Sequence, residues 1–228
     1  MTDDSLHLLI VDNIKDRQLQ QTSRWRGFQG AIEEWNLTKA SSSKKIQIQV
    51  IKHDKLDTQQ ATDAVSLADG MILSGSRYSL TRFNRKPRLK RLFDAEIRLA
   101  RSLPRDIPLL GICFGHQLIG LSFGFEIVTC NAREGGMHEL EVSGEFDLVT
   151  PDKFRIHVEQ HHEKQIDPRA DLSSEFTNHA SSETCSYQMI QHVKKPVYGV
   201  QFHPESLLNE KTISDGRALL HAFFELML

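Results

Sequence analysis

The chain has 228 residues, 39% hydrophobic and 25% charged, with a formal net charge of −2. That length suits one sizeable α/β domain, residues 1–228, and the near-neutral charge gives no overall pull toward nucleic acid or an anionic membrane surface. Three cysteines are too few, and odd in number, for a disulfide scaffold, and no stretch approaches the roughly 20 apolar residues that span a bilayer. With a polar, acidic start and no leader-like segment, the reading is a soluble cytoplasmic protein.

In chain order, Leu6–Asp12 (LHLLIVD) is a continuous apolar run, the signature of a strand buried on both faces. Ile14–Leu37 is polar with spaced apolar residues and predicts a helix, broken near Gly27 or Gly30. Ala40–Lys45 reads as a loop, Ile46–Lys52 as a strand, Gln59–Ala68 as a short helix and Gly70–Leu73 as a strand ending in Ser74-Gly75-Ser76. Pro87–Ser102 keeps helical spacing through Leu89, Leu92, Phe93, Ile97 and Leu99, with Pro87 at its start and Pro104 and Pro108 past its end. A strand then runs into Cys113, and a helix covers Gly115–Phe123.

The second half changes character. Phe125–Thr129, His138–Val142, Phe146–Thr150, Arg155–Val158, Ser186–His192 and Val197–Phe202 read as strands joined by short turns, and Thr212–Leu228 as a closing amphipathic helix. The expected fold is therefore α/β: a mainly parallel central sheet flanked by helices, with antiparallel additions in the second half.

The chemistry concentrates at two strand ends. In Gly111-Ile112-Cys113-Phe114-Gly115-His116-Gln117 a thiol sits between an apolar strand and a helix start, flanked by glycines. A helix N-terminus favours a thiolate, and the N–H of Phe114 is placed to meet an oxyanion formed at an attacked carbon. A buried structural cysteine fits that position about as well. Ninety residues on, Gly199-Val200-Gln201-Phe202-His203-Pro204-Glu205 ends a second strand with an imidazole and a carboxylate two residues apart. Glu205 can then hold the imidazole tautomer that takes a thiol proton. Cys130 and Cys185 have no such setting and read as structural. His157, His161 and His162 lack a second ligand cluster, so no metal is expected.

Together, GICFGHQ and GVQFHPE resemble the class I, triad-type glutamine amidotransferases, in particular free-standing members similar to the glutaminase part of GMP synthetase and to γ-glutamyl peptidases. The resemblance implies a flavodoxin-like sheet architecture. It implies a glutaminase with Cys113 as nucleophile, His203 as proton carrier and Glu205 as its orienting partner, a γ-glutamyl thioester, and ammonia supplied to an acceptor on a separate synthase subunit. No cofactor is called for. Gln117 falls on the family's glutamine-gripping position. The second oxyanion donor falls on Ser76 beside Gly75, in Ser74-Gly75-Ser76-Arg77 where the family usually has Ser-Gly-Gly-Pro. His162 and Ile166 match a His-x-Asp-x-Val segment beside the substrate, with Lys164 at the Asp position.

Two other readings remain open at this point: a stand-alone cysteine hydrolase of γ-glutamyl peptides or related small amides, and a non-catalytic regulatory module. The basic run Arg77, Arg82, Arg85, Lys86, Arg88, Lys90 and Arg91 reads as a solvated loop, or as a docking surface for an acidic partner.

Overall fold

A computed structural model describes residues 5–39, 44–103, 107–206 and 215–228. Among these residues nine strands and five α-helices follow in order: β1 Leu6–Asp12, α1 Ser23–Thr38, β2 Ile46–Lys52, α2 Gln59–Leu67, β3 Gly70–Leu73, α3 Pro87–Arg101, β4 Leu109–Ile112, α4 Phe114–Ser122, β5 Ile127–Glu141, β6 Arg155–Ile166, β7 Phe176–Ala180, β8 Met189–His192, β9 Val197–Val200 and α5 Gly216–Glu225. The main sheet has the order β2-β1-β3-β4-β9-β8-β7, and β5 and β6 form a separate antiparallel ribbon. The strands β2, β1, β3, β4 and β9 are mutually parallel, and β8 and β7 add antiparallel to β9. This is the mainly parallel sheet with antiparallel additions that the sequence predicts.

The apolar runs are continuous because successive side chains serve opposite faces. Leu8 and Ile10 face Phe28, Ile32 and Trp35 of α1 and Leu219, Leu220, Phe223 and Phe224 of α5. Their neighbours Leu9 and Val11 face Ala61 and Ala64 of α2, Phe93 of α3 and Leu118 and Ile119 of α4. The sheet is thus the middle of three layers. The carboxyl ends of its parallel strands open on one edge, where open α/β sheets bind ligands.

Several sequence expectations are corrected. Residues 14–22 are not helical. The Asp12 carboxylate accepts from the backbone N–H of Ile14 (2.8 Å) and of Leu19 (2.9 Å), which ties this stretch into a loop. Helix α1 starts only after Thr22, whose hydroxyl accepts from Trp25 N–H, and it runs unbroken through Gly27 and Gly30. The two segments read as strands at 125–129 and 138–142 belong to one long strand, β5, whose polar middle is a largely exposed ribbon with a register shift between Thr129 and Glu134. Arg155–Val158 extends to Ile166 within β6. Phe146–Thr150 is a turn, closed by Val149 N–H to Phe146 O (2.9 Å). Its alternation arises because Phe146 and Leu148 plug the core without joining a ladder. Strand β7 escapes a sequence reading because Phe176 is its one large apolar residue. Of the predicted loop and final helix, residues 40–43 and 212–214 lie outside the described residues, as does Pro104. Among the described residues no helix is long and apolar enough to cross a membrane.

Candidate active site

Three parallel strands deliver the site. Leu73 of β3 pairs with Gly111 of β4, and Ile112 pairs with Val200 of β9. The turn after β3 (Ser74–Ser76), the turn after β4 (Cys113) and the segment after β9 (Phe202–Glu205) therefore converge on one edge. Cys113 N–H donates to Val200 O (2.8 Å), which seats the thiol beside the end of β9.

Cys113 has φ 53° and ψ −97°, left-handed backbone in a non-glycine residue, and caps the N-terminus of α4. Such a conformation costs about 1–3 kcal/mol and persists only where the surroundings enforce it. Here the close seating of α4 does so. A Cβ on Gly115 would lie 2.1 Å from Leu73 O, and one on Gly111 would lie 2.6 Å from the Gly115 carbonyl. The role of Gly111 is thus space for α4, not a tight turn. Phe114 is wedged against Phe93 (ring centroids 5.1 Å) and Tyr78, which fixes the first residue of α4.

His203 is buried. Its Nδ1 lies 2.8 Å from Glu205 Oε1, and a side-chain hydrogen bond links the ring to Cys113. Burial pulls the imidazole pKa down, but the Glu205 carboxylate and Cys113 outweigh it and raise it to about 9. His203 is therefore a stable imidazolium at neutral pH. Burial opposes the Glu205 charge, yet His203 and then Arg24 hold its pKa below the usual carboxylate range. His203 N–H also donates to Glu159 O of β6 (2.9 Å), which anchors the segment to the ribbon.

Gly75 is needed for room, since a Cβ there would lie 3.0 Å from His203 Cε1 and 3.7 Å from Cys113 Cβ. Ser76 follows it on the rim of the same space. Gln117 lines a cavity of about 440 Å³ with Cys113, Phe114, Tyr78 and His162. Its amide nitrogen is held by Lys164 O (2.9 Å) and Gln201 Oε1 (3.1 Å). His162 borders this cavity, but both ring nitrogens face protein groups: Nε2 lies 3.1 Å from Glu134 Oε2 and Nδ1 lies 3.8 Å from Cys130 Sγ. Burial works against the charge on Glu134, but hydrogen bonds from His162, Ser182 and Thr184 bring its pKa to about 2. His116, by contrast, is sealed in the core, and burial drives it to about 3, leaving a neutral packing residue.

Sequence reasoning missed two supports of this site. Arg24 of α1 reaches Glu205 Oε1 (3.7 Å) and also bonds Ser206. A Cβ on Gly27, read as a helix break, would lie 1.7 Å from Glu205 O, so this glycine is where α1 meets the Glu205 backbone. The Thr22 cap was the one local signal for where that helix begins. Cys130 and Cys185 are buried, and desolvation first of all raises both thiols, Cys130 to about 11. Neither is poised to ionise, in keeping with their structural reading.

A third support is electrostatically unusual. Asn13 donates from its backbone to Ser74 Oγ (2.9 Å) and from its amide to Ser74 O (3.2 Å) and to Glu96 Oε1 (2.7 Å). Glu96 is fully buried, which raises its pKa to about 8, with the Asn13 hydrogen bond pulling the other way. A carboxyl whose folded pKa lies above its unfolded value near 4.5 binds the proton more tightly when folded. Its stabilising effect is present below about pH 4.5 and is lost as pH rises through about 8. Glu96→Gln removes that liability and keeps the acceptor for Asn13. Denaturant melts of both proteins at about pH 5 and about pH 8.5 are expected to show the variant gaining on the wild type by a few kcal/mol at the higher pH. A gap that does not change with pH contradicts the assignment.

Chemically, a thiol bonded to an imidazolium, itself bonded to a carboxylate, can act as a nucleophile with an adjacent proton carrier. Comparison with known proteins agrees with that setting. The family model for glutamine amidotransferase class-I matches residues 31–224. Among curated relatives, the glutamine-hydrolyzing subunit of the GMP synthase of Methanothermobacter thermautotrophicus is 40% identical over 100 residues, covering 44% of this chain and 52% of that protein. The corresponding subunit from Pyrococcus furiosus is 35% identical over 125 residues, 54% of this chain and 64% of that protein. The matched stretches thus span roughly half to two thirds of those relatives. Among solved structures, a putative GMP synthase subunit from Thermoplasma acidophilum superposes with a TM-score of 0.68 at 24% identity, covering 97% of this chain and 94% of that one. A glutamine amidotransferase from Thermotoga maritima gives a TM-score of 0.68 at 18% identity, covering 97% of each chain. These two share the fold. With the family model spanning most of its length, this chain belongs to the class-I glutamine amidotransferases.

Proposed function

We propose that the protein hydrolyses the side-chain amide of glutamine and releases ammonia for an acceptor on a separate synthase subunit in the cytoplasm. The observation that carries this is the hydrogen-bonded series Cys113–His203–Glu205 at the open edge of the sheet, beside the N-terminus of α4. In this reading Cys113 attacks the amide carbon as a thiolate. The N–H groups of Phe114 and Ser76 receive the oxyanion, in keeping with the free donors of a helix N-terminus and the turn after β3.

The carbon–nitrogen bond then breaks, and the ammonia leaves with a proton from His203. The imidazole next takes a proton from water, which attacks the γ-glutamyl thioester and frees glutamate and the thiol. Glu205 holds the Nδ1 proton throughout, so that Nε2 does the exchanging. Gly75 keeps the approach clear. Gln117 grips the substrate, and His162 stiffens the wall. The carboxylate of Glu205 and the raised pKa of His203 support this reading, since the leaving nitrogen needs a charged donor at neutral pH.

Support for a separate acceptor comes from the two relatives, each of which is named as one subunit of a synthase. The three free cysteines suit a reducing compartment. Incubation with glutamine, alone and with a candidate synthase, tests the proposal. Ammonia and glutamate are expected in equal amounts. Intact glutamine under both conditions contradicts it.

A further inference from the structure

Cys113 stands where two cavities meet. The first, about 440 Å³, lies on the α4 side and includes Gln117 and Phe114. The second, about 430 Å³, lies on the α1 side, over Ile14, Leu19 and Thr22. His203 and Glu205 line the second cavity and not the first. If His203 protonates the departing nitrogen, as in the reading above on which this inference rests, the glutamyl half occupies the first cavity. The leaving amine then departs into the second.

Ammonia needs little more than the space of one water, about 30 Å³. The second cavity is more than ten times that. Its rim is also cationic. Lys15, Arg17, Arg24 and Arg77 line it against Asp16 and the already paired Glu205. Arg24 is committed to Glu205 and Glu159. Lys15 Nζ lies 5.7 Å from the Tyr78 ring centroid, and among the described residues neither Lys15, Arg17 nor Arg77 takes part in an ion pair with a carboxylate. A short apolar floor under unpartnered cations fits a small amine that carries a carboxylate.

We propose that the second cavity is a leaving-group subsite for amino acids, so that the protein cleaves γ-glutamyl amino acids, with Lys15 and Arg17 selecting the free carboxylate of the departing residue. The Cys113 thiolate bonds to the γ-carbon and the carbon–nitrogen bond to the amino acid breaks. His203 supplies the proton to that nitrogen, and the amino acid leaves as a neutral amine at its α-nitrogen. Water then resolves the thioester, giving glutamate and the restored thiol.

The test uses γ-glutamylglycine and γ-glutamylmethylamide, which differ at the leaving group by one carboxylate, with glutamine alongside. The wild type is expected to favour the glycine conjugate by about tenfold in kcat/KM. In a Lys15→Ala/Arg17→Ala double variant that preference is expected to fall to about twofold or less, with glutamine and the methylamide turned over as before. Equal rates for the two conjugates in a protein that hydrolyses glutamine overturn the subsite. So does a preference that survives the double variant. If none of the three substrates reacts and an electrophilic glutamine analogue leaves Cys113 unlabelled, the glutaminase reading itself fails, and the subsite with it.

Discussion

Cys113→Ala is expected to abolish amide hydrolysis, with a loss of about 10⁴-fold or more, while the protein melts close to the wild type. The two halves of this expectation have separate causes. The sulfur is the only heavy atom removed, and it is the atom given the bond-forming step. Its structural duties are small. The backbone at this position donates to Val200 O and accepts from Gln117 N–H, and alanine keeps both bonds. The positive φ strains alanine as it strains cysteine, so no new cost enters. Ammonia release and a thermal melt on the same preparation check both halves. An alanine variant that is folded and fully active removes Cys113 from the chemistry.

The second large effect lies on α1, far from the motif residues in sequence. Gly27→Ala places a methyl group 1.7 Å from the carbonyl oxygen of Glu205 and 2.8 Å from its carbonyl carbon. Neither partner is a flexible side-chain tip, so the helix or the 203–206 segment must move by about 1 Å or more. Overpacking of this kind costs about 1–3 kcal/mol or more. The displacement acts on the residue that orients His203, so kcat is expected to fall by about 10²-fold.

Gly30→Ala is the matched control. It lies in the same helix and gains the same helix propensity, about 1 kcal/mol. Its nearest contact is Arg217 Nη1 at 3.0 Å, the far end of a long, adjustable side chain. It is expected to leave activity intact and stability equal or higher. Melting and kcat for the pair decide the matter. Equal behaviour of the two variants contradicts the proposed contact between α1 and Glu205.

These positions show which parts of the molecule were legible from the chain alone. Strands β1, β3, β4 and β9 declared themselves because burial on both faces demands an unbroken apolar run. Cys113, His203 and Glu205 could be singled out because each closely follows such a run, and parallel strands bring their carboxyl ends to one edge. The ribbon of β5 and β6 was legible only at its two ends. Its middle is solvated, so no core imposes a period on Cys130–Met137. The loop at 14–22 reads as helix because the spacing of Ile14 and Leu19 suits one, while the Asp12 carboxylate that diverts the backbone competes without altering that spacing. Arg24 and Gly27 gain their meaning from a segment some 180 residues away, and no local pattern encodes such a contact. The same holds for Glu134, whose partners His162, Ser182, Thr184 and Gln188 come from separate stretches of chain.

The most direct measurement is mass spectrometry of the protein quenched in acid during turnover of glutamine. The expected result is one glutamyl group carried as a thioester on the peptide containing Cys113, absent from the Cys113→Ala variant. Turnover with Cys113 never modified, or a glutamyl group found on Cys130 or Cys185 instead, would contradict it.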